Sequence, residues 1–439
     1  MHAALVVADD LTGATDTAHG FAARGYGTRV RIDGGGGNGD GERDGGVPVL
    51  SVTTESRYDD AESAAAAVDR AVRASTARLV YKKVDSTLRG NVASEVEAAL
   101  ARTGAQLALV APAFPAAGRT TEGGVHAVDG TPVDESEYAA DANGPATAAL
   151  TDLFAPVGPV THVSLSAVEE GADAVAARVG AALDATDGPP VVVCDATDAD
   201  HLAAVAAAGA RFDPLYVGSG GLAAHVAPPD AERGAVTPPP VPAGAPLAVA
   251  GSVNPATLEQ LARVPDEQVV ELDATALIAG ESHGERVGES DVERVDEGET
   301  DRAGTRAAER LRAGEPAVLT AATDRAAVDR TLAAGKRAGL DPAAVRERVA
   351  AGLARSAGRA LAGDPSGLVL TGGDLAVAAA RELDATAIDL SGAAVADGVP
   401  LGRFADGAAA GTPVVTKAGG FGGPSAIVNC LDRLRDTNV

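Results

Sequence analysis

Short β-branched or apolar runs, each followed by an alanine-rich stretch of helical length, recur along the chain and leave few folds open to it. In the first half the runs are ALVV, VPVLSVT, RLVYKKV, LALVAP, VTHVSL, PVVVC and PLYVG. Between them lie DDAESAAAAVDRAVRAS and NVASEVEAALART, whose apolar residues recur at three and four, the spacing of an amphipathic helix. Strands that alternate with helices pair in parallel, because each connection must cross back over the sheet. The rhythm predicts α/β structure.

From Pro228 to Pro242 six prolines sit among small and acidic residues, a composition that sustains neither a helix nor a central strand. After it the rhythm restarts with LAVAGS, QVVELD, AVLTAA, LVLTGGD, AIDLS and PVVTKAGG, with a long helical stretch from Pro342 to Gly363 among them. At 439 residues the chain has room for two ordinary cores. The expected organisation is a first domain over 1–227, a proline-rich linker over 228–246 and a second domain over 247–439. Each is expected to be a mainly parallel sheet flanked by helices. Two acidic, glycine-rich segments, 34–46 and Gly280 to Asp301, read as solvated loops.

Charge narrows the partners. The formal net charge is −26, from 62 acidic and 36 basic residues, and the lysines are Lys82, Lys83, Lys336 and Lys417. Such a surface repels nucleic acid and anionic lipid. It suits a salt-rich medium, where the Debye length is roughly 3 Å at molar ionic strength. Where lysine is this rare, the three that fall inside motif-like stretches (82, 83 and 417) are not surface decoration. Cys194 and Cys430 read as free buried thiols, and no C-x-x-C spacing suggests zinc. The opening MHAALVVADD has no basic leader or long apolar run, and no stretch reaches the ~20 apolar residues of a membrane span, so a cytoplasmic protein is expected.

Several stretches carry chemistry. ADDLTGATD leaves the first strand and opens the first helix, where an α/β sheet places its ligands. Helix capping accounts for one polar residue there, but not for Asp9 and Asp10 together with Thr12, Thr15 and Asp16. YKKVDSTLRGN repeats the pattern: Arg89 has the geometry to grip a carboxylate with two N–H groups, and Lys83 supplies a point charge. The connection from Ala111 to Pro145, carrying Arg119, Thr120, Thr121 and His126, reads as long and structureless, hence functional; His126 alone reads as a hydrogen-bonded structural residue. YVGSGGLAAHV shares two glycines with the dinucleotide fingerprint but lacks its later acidic residue. Three glycine turns close strands in the second half: AGSVNPAT with Ser252, LTGGDLA with Thr371, Gly372, Gly373 and Asp374, and VTKAGGFGG with Lys417, Gly419 and Gly420. Glycines admit phosphate oxygens to main-chain amides, and a hydroxyl or lysine completes the contact. G-x-x-x-x-G-K-[ST] does not occur.

The ordered set ADDLTGATDTA, KKVDSTLRGN, APAFPAAGRTT, GSGGLA, TGGD, GVPLGR and VVTKAGGFG resembles the four-carbon acid sugar kinases over essentially the whole chain. The resemblance implies an ATP-dependent phosphotransferase acting on a tetronate or 3-oxo-tetronate, with ATP and Mg²⁺ as cofactors and an active site in the cleft between two domains. It implies that Asp9, Asp10, Lys83, Asp85, Arg89 and Arg119 meet the acid sugar, and that Ser252, Thr371 to Asp374 and Gly419 meet ATP. The chain departs from the family at its two acidic insertions and at Gly423. Asp10 is the expected group to orient or deprotonate the attacking terminal hydroxyl, with Asp374 competing; the carboxylates that hold Mg²⁺ are not assigned. The expected partners are an acid sugar and ATP, with no nucleic acid and no membrane, and a homo-oligomer is compatible with the sequence. Two rival classes stay open at this stage: a hydroxy-acid dehydrogenase, which needs the absent ribose-binding acid, and a non-catalytic sugar-acid sensor, which does not need the phosphate turns.

Overall fold

The computed structural model describes residues 2–32, 46–279, 297–396 and 398–435. Contacts divide the chain into two compact units, Met1–Val236 and Thr237–Val439.

In the first unit the strands are β1 (Ala4–Ala8), β2 (Thr28–Arg31), β3 (Val49–Thr53), β4 (Leu79–Lys83), β5 (Leu107–Ala111), β6 (Arg119–Glu122), β7 (Val125–Val128), β8 (Thr131–Pro132), β9 (Val160–Val163), β10 (Val191–Cys194) and β11 (Pro214–Gly218). The main sheet runs β2-β3-β1-β4-β11-β5-β10-β9, parallel throughout. Its register places Val6 between Ser51 of β3 and Tyr81 of β4. Successive side chains point to opposite faces, and both faces are covered. Val6, Tyr81, Leu109, Val192 and Tyr216 belong to one core, while Leu5, Val7, Val110, Val193 and Val217 belong to the other. Burial on both faces is why these strands read as continuous apolar runs rather than as alternating ones. After β1 the chain moves to one side for β2 and β3, then to the other for β4, so the order switches at β1. Ligands of doubly wound sheets collect beyond the carboxyl ends at such a point.

The helices begin where local chemistry starts them. Asp60 caps Ala61–Arg73 by accepting from Ser63 N at 2.9 Å, and Val92–Thr103 ends at Gly104 with φ +66°. The connection after β5 is not structureless. Its threonine-rich RTTE and VHAV pair antiparallel as β6 and β7, with β8 beside them. Asp195 ties this hairpin to the main sheet by accepting from Gly123 N, Gly124 N and Leu165 N at 2.8 to 3.0 Å. Such a long-range anchor leaves no local signal in sequence. His126 is the structural residue expected, fully buried between Thr121 Oγ1 and Ser86 O at 2.9 Å each.

The second unit carries β12 (Leu247–Ala250), β13 (Val269–Glu271), β14 (Ala317–Thr320), β15 (Leu368–Thr371), β16 (Ala387–Ala396), β17 (Val399–Phe404) and β18 (Pro413–Lys417). Here the order is β13-β14-β12-β15-β18-β17-β16. The first five strands are parallel, and β17 and β16 run antiparallel. Strands β2 and β17 are absent from the sequence reading: β2 is four residues with two arginines, and β17 begins V-P. Segment 227–246 holds neither helix nor strand. Residues 34–45 and 280–296 of the acidic segments lie outside the described residues. Glu297 to Asp301 open a helix, Glu297–Arg312, instead of continuing a loop. Both cysteines are free and buried, as expected. Among the described residues no helix is long and apolar enough to cross a membrane.

Candidate functional site

At the switch in the first unit three neighbouring strands end together, and their following loops supply one network. β1 delivers Asp9 and Asp10, β3 is followed by Arg57, and β4 ends on Lys83 ahead of Asp85 and Arg89. Arg57 is the hub. Its Nε and Nη2 reach Asp9 Oδ2 and Oδ1 at 2.7 and 2.9 Å, and its Nη1 and Nη2 reach Asp10 Oδ2 and Oδ1 at 2.9 and 2.8 Å. Asp85 Oδ1 lies 3.6 Å from Nη2. Burial works against every charge here, but pairing outweighs it: Arg57 and the two lysines hold Asp9 below the ordinary carboxylate range, and Arg89 and Arg57 hold Asp85 well below it. Asp10 Oδ1 also accepts from Gly13 N at 2.9 Å and caps the helix Leu11–Ala22. The capping account of Asp10 therefore holds, and the second aspartate is explained by Arg57.

Lys82 and Lys83 point to opposite faces of β4, and both are buried. Lys82 Nζ pairs with Glu95 Oε2 at 2.9 Å and donates to the carbonyl of Lys83 at 2.6 Å. Lys83 Nζ lies against Gly13. Arg89 binds Asp85 through Nε at 2.8 Å and Nη2 at 3.2 Å, and its guanidinium carbon stands 5.4 Å from the Tyr138 ring centroid. Arg119, on the hairpin, stacks on the same ring at 5.9 Å and donates to the Tyr138 hydroxyl at 3.2 Å. Its Nε is buried and has no acceptor among the described residues. An unspent guanidinium N–H beside a second arginine is a fitting donor set for a carboxylate.

The second unit converges on Ser252. A Cβ at Gly372, where φ is +105°, would stand 3.2 Å from Ser252 N, and one at Gly419 would overlap Ser252 Oγ. Side chains at these positions would fill the space between the three turns. Gly372 opens the helix Gly373–Glu382 with no side-chain cap, leaving its first amides free to meet an anion. Asp374 is exposed in that first turn. Thr371 Oγ1 is buried without a partner among the described residues. Lys417 spends its ammonium on the turn itself, donating to the carbonyls of Ala418, Gly419 and Phe421 at 2.9, 3.3 and 3.1 Å, while Gln260 Nε2 holds those of Phe421, Gly422 and Gly423 at 3.2 Å. With the carbonyls drawn inward, the amides of Gly419 and Gly420 have no acceptor among the described residues. Hydroxyls, glycine amides and an uncapped helix start fit a polyphosphate. Among the described residues no group of three His, Cys, Asp or Glu side chains is arranged to hold a metal.

Sequence reading missed Arg57 and Tyr138. Arg57 follows β3, and only the β3-β1-β4 order shows that β3 borders the aspartates. Tyr138 lies in the short 3₁₀ turn Glu137–Ala140, where no periodicity marks it.

Two family models match the chain. Residues 4–226 match the sugar-binding N-terminal domain family and residues 247–427 the nucleotide-binding C-terminal domain family. A D-threonate kinase of Bordetella bronchiseptica is 36% identical, over 98% of this chain and 97% of its own. A D-threonate kinase of Salmonella typhimurium is 32% identical over 97% of each chain, and a D-erythronate kinase of Heliobacterium modesticaldum is 32% identical over 98% of this chain and 96% of its own. A solved Salmonella typhimurium structure, described as a putative tRNA synthase, superposes with a TM-score of 0.78 at 21% identity over 98% of this chain and 99% of that one, a likeness of fold.

Proposed function

The chain belongs to the four-carbon acid sugar kinases, and on that premise we propose that it transfers the terminal phosphate of ATP to the terminal hydroxyl of a four-carbon acid sugar, D-threonate first among them. The supporting observation is the presence of two chemically different anion sites at the carboxyl edges of parallel sheets. One offers guanidinium groups around a tyrosine; the other offers main-chain amides and hydroxyls. A sugar acid and a polyphosphate differ in that same way.

In this reading Arg89 and Arg119 hold the sugar carboxylate, with the charge of Lys83 behind them. Asp9, Asp10 and Asp85 keep Arg57 and Arg89 in place and present oxygens to the sugar hydroxyls. Phosphoryl transfer asks mainly for alignment and charge neutralisation, so a rigid, fully paired network suits it. Ser252, Thr371, Gly372, Gly373, Gly419 and Gly420 receive the nucleotide phosphates, and Lys417 shapes the turn that does so. Mg²⁺ would arrive with the nucleotide and neutralise phosphate charge, with Asp374 the carboxylate placed to help hold it; magnesium sites of this kind use one or two carboxylates plus phosphates. A dehydrogenase reading has no support from the turns, which offer no acidic partner for a ribose. The acid-rich, lysine-poor surface suits a salty cytoplasm.

The test is ADP release measured in high salt with D-threonate, D-erythronate and 3-oxo-tetronate in parallel. Turnover with at least one, and none with two-carbon or six-carbon acids, is the expected result. No ADP release with any four-carbon acid overturns the proposal.

A further inference from the structure

The carboxylates expected to do chemistry in the first unit are already occupied. Both oxygens of Asp9 accept from Arg57, both oxygens of Asp10 accept from Arg57 with Gly13 N as a third donor, and Asp85 accepts from Arg89 and Thr87. A proton placed on any of them breaks an ion pair. Asp16 is different. It lies on the same helix, with Gly13 midway between it and Asp10, and its carboxylate accepts no hydrogen bond among the described residues. Its Oδ2 passes so close to Gly220, two residues past the end of β11, that a Cβ there would stand 2.6 Å away. Gly13 plays the matching part on the other side, where a Cβ would stand 2.6 Å from Lys83 Nζ. Two glycines thus clear room for one carboxylate and one ammonium beyond the ends of β1, β4 and β11. Neither group is spent on the fold.

We propose that Asp16 is the catalytic base, taking the proton of the attacking sugar hydroxyl, with the Lys83 ammonium beside it. The proposal rests on the kinase reading above. The hydroxyl O–H bond breaks and its proton passes to a carboxylate oxygen of Asp16, while the hydroxyl oxygen bonds to the γ-phosphorus of the nucleoside triphosphate. The phosphorus bond to the bridging oxygen breaks, its electron pair leaves with the diphosphate, and Asp16 returns the proton to water.

The surroundings suit this role. Burial raises the Asp16 pKa from 3.8 to about 6, Lys83 opposes that rise and Asp10 adds to it. β4 presents Lys83 and the phenol of Tyr81, whose own pKa is raised by burial, and the segment after β11 presents main chain at Gly220. The carboxylate is thus ionised at neutral pH yet takes a proton far more readily than Asp9 or Asp85, which are held low. A base is most effective when its pKa lies near the working pH.

The experiment is the pH dependence of kcat for the wild type and for Asp16→Asn, with D-threonate and ATP. The wild-type kcat should fall tenfold per pH unit below about pH 6. Asp16→Asn should lower kcat by about 10²- to 10⁴-fold, leave both KM values within about threefold and lose the acid limb. The variant should also melt higher than the wild type at pH 8, because it removes a half-buried charge that accepts no hydrogen bond among the described residues. A wild type that turns over without an acid limb, or a variant that keeps kcat within threefold, overturns the assignment of Asp16 and leaves the kinase reading standing. A wild type inactive on every four-carbon acid overturns the kinase reading instead.

Discussion

Gly13 and Lys83 are in direct contact: a Cβ on Gly13 would stand 2.6 Å from the lysine Nζ and 2.6 Å from Asp10 Oδ1. Gly13→Ala therefore pushes Asp10 Oδ1 out of its bonds with Gly13 N and Arg57 and shifts the Lys83 ammonium. Alanine also favours a helix over glycine by about 1 kcal/mol. The lost cap and the disturbed Arg57 pair outweigh that gain, so the variant is expected to melt below the wild type and to lose about tenfold or more in kcat/KM for the acid sugar. Loss of melting temperature with normal kinetics would show that the glycine serves the fold alone.

Gly419→Val puts a branched side chain into Ser252 Oγ and over the amides beside it. ATP affinity should fall by at least tenfold while acid-sugar affinity stays unchanged, as calorimetry with each ligand alone would report. Equal ATP affinity in a folded variant contradicts the placement of the nucleotide.

Lys417 links stability to pH. Burial lowers its pKa from 10.5 to about 8, so in the folded chain it releases its proton near pH 8, whereas in the unfolded chain it holds it to about 10.5. The unfolded state binds more protons across that window, and stability contributed at this site rises with pH from about 8 to about 10.5. Lys417→Met removes that rise and also the three bonds that shape the turn. Melting curves of both proteins at pH 7.5 and pH 10 should show the wild type gaining relative to the variant at the higher pH. A constant difference contradicts the linkage.

How much of this the sequence disclosed follows from the range of each interaction. The strands of both sheets announce themselves because burial on two faces makes each a local apolar run. Lys82, Lys83 and Lys417 stood out because lysine is scarce, and all three are buried. Arg57 and Tyr138 did not, because their meaning lies in neighbours far along the chain, Asp9 and Asp85 for the one and Arg89 and Arg119 for the other. Asp10 could be placed at a helix start from sequence, but nothing local says that an arginine 47 residues on takes both its oxygens. The proposal that Asp16 rather than Asp10 is the base starts from that single fact.

The Lys82–Glu95 pair lies beneath the site, with side chains 0% and 2% exposed. Lys82→Met leaves Glu95, whose pKa burial raises, without its cation and with Ser56 Oγ as its donor, and should cost about 3–5 kcal/mol by chemical denaturation, whereas Lys82→Met combined with Glu95→Leu should cost less than Lys82→Met alone. A double variant less stable than the single would show that the pair contributes net stability.

The position of phosphorus in the product distinguishes transfer to the terminal hydroxyl from every alternative. Incubation of the protein with D-threonate and ATP, followed by proton-detected phosphorus NMR, should show the phosphate coupled to the two protons of the terminal methylene. Coupling to a single methine proton would place the phosphate on an inner hydroxyl and contradict the alignment proposed here, and an acid recovered without phosphorus would contradict phosphoryl transfer to it altogether.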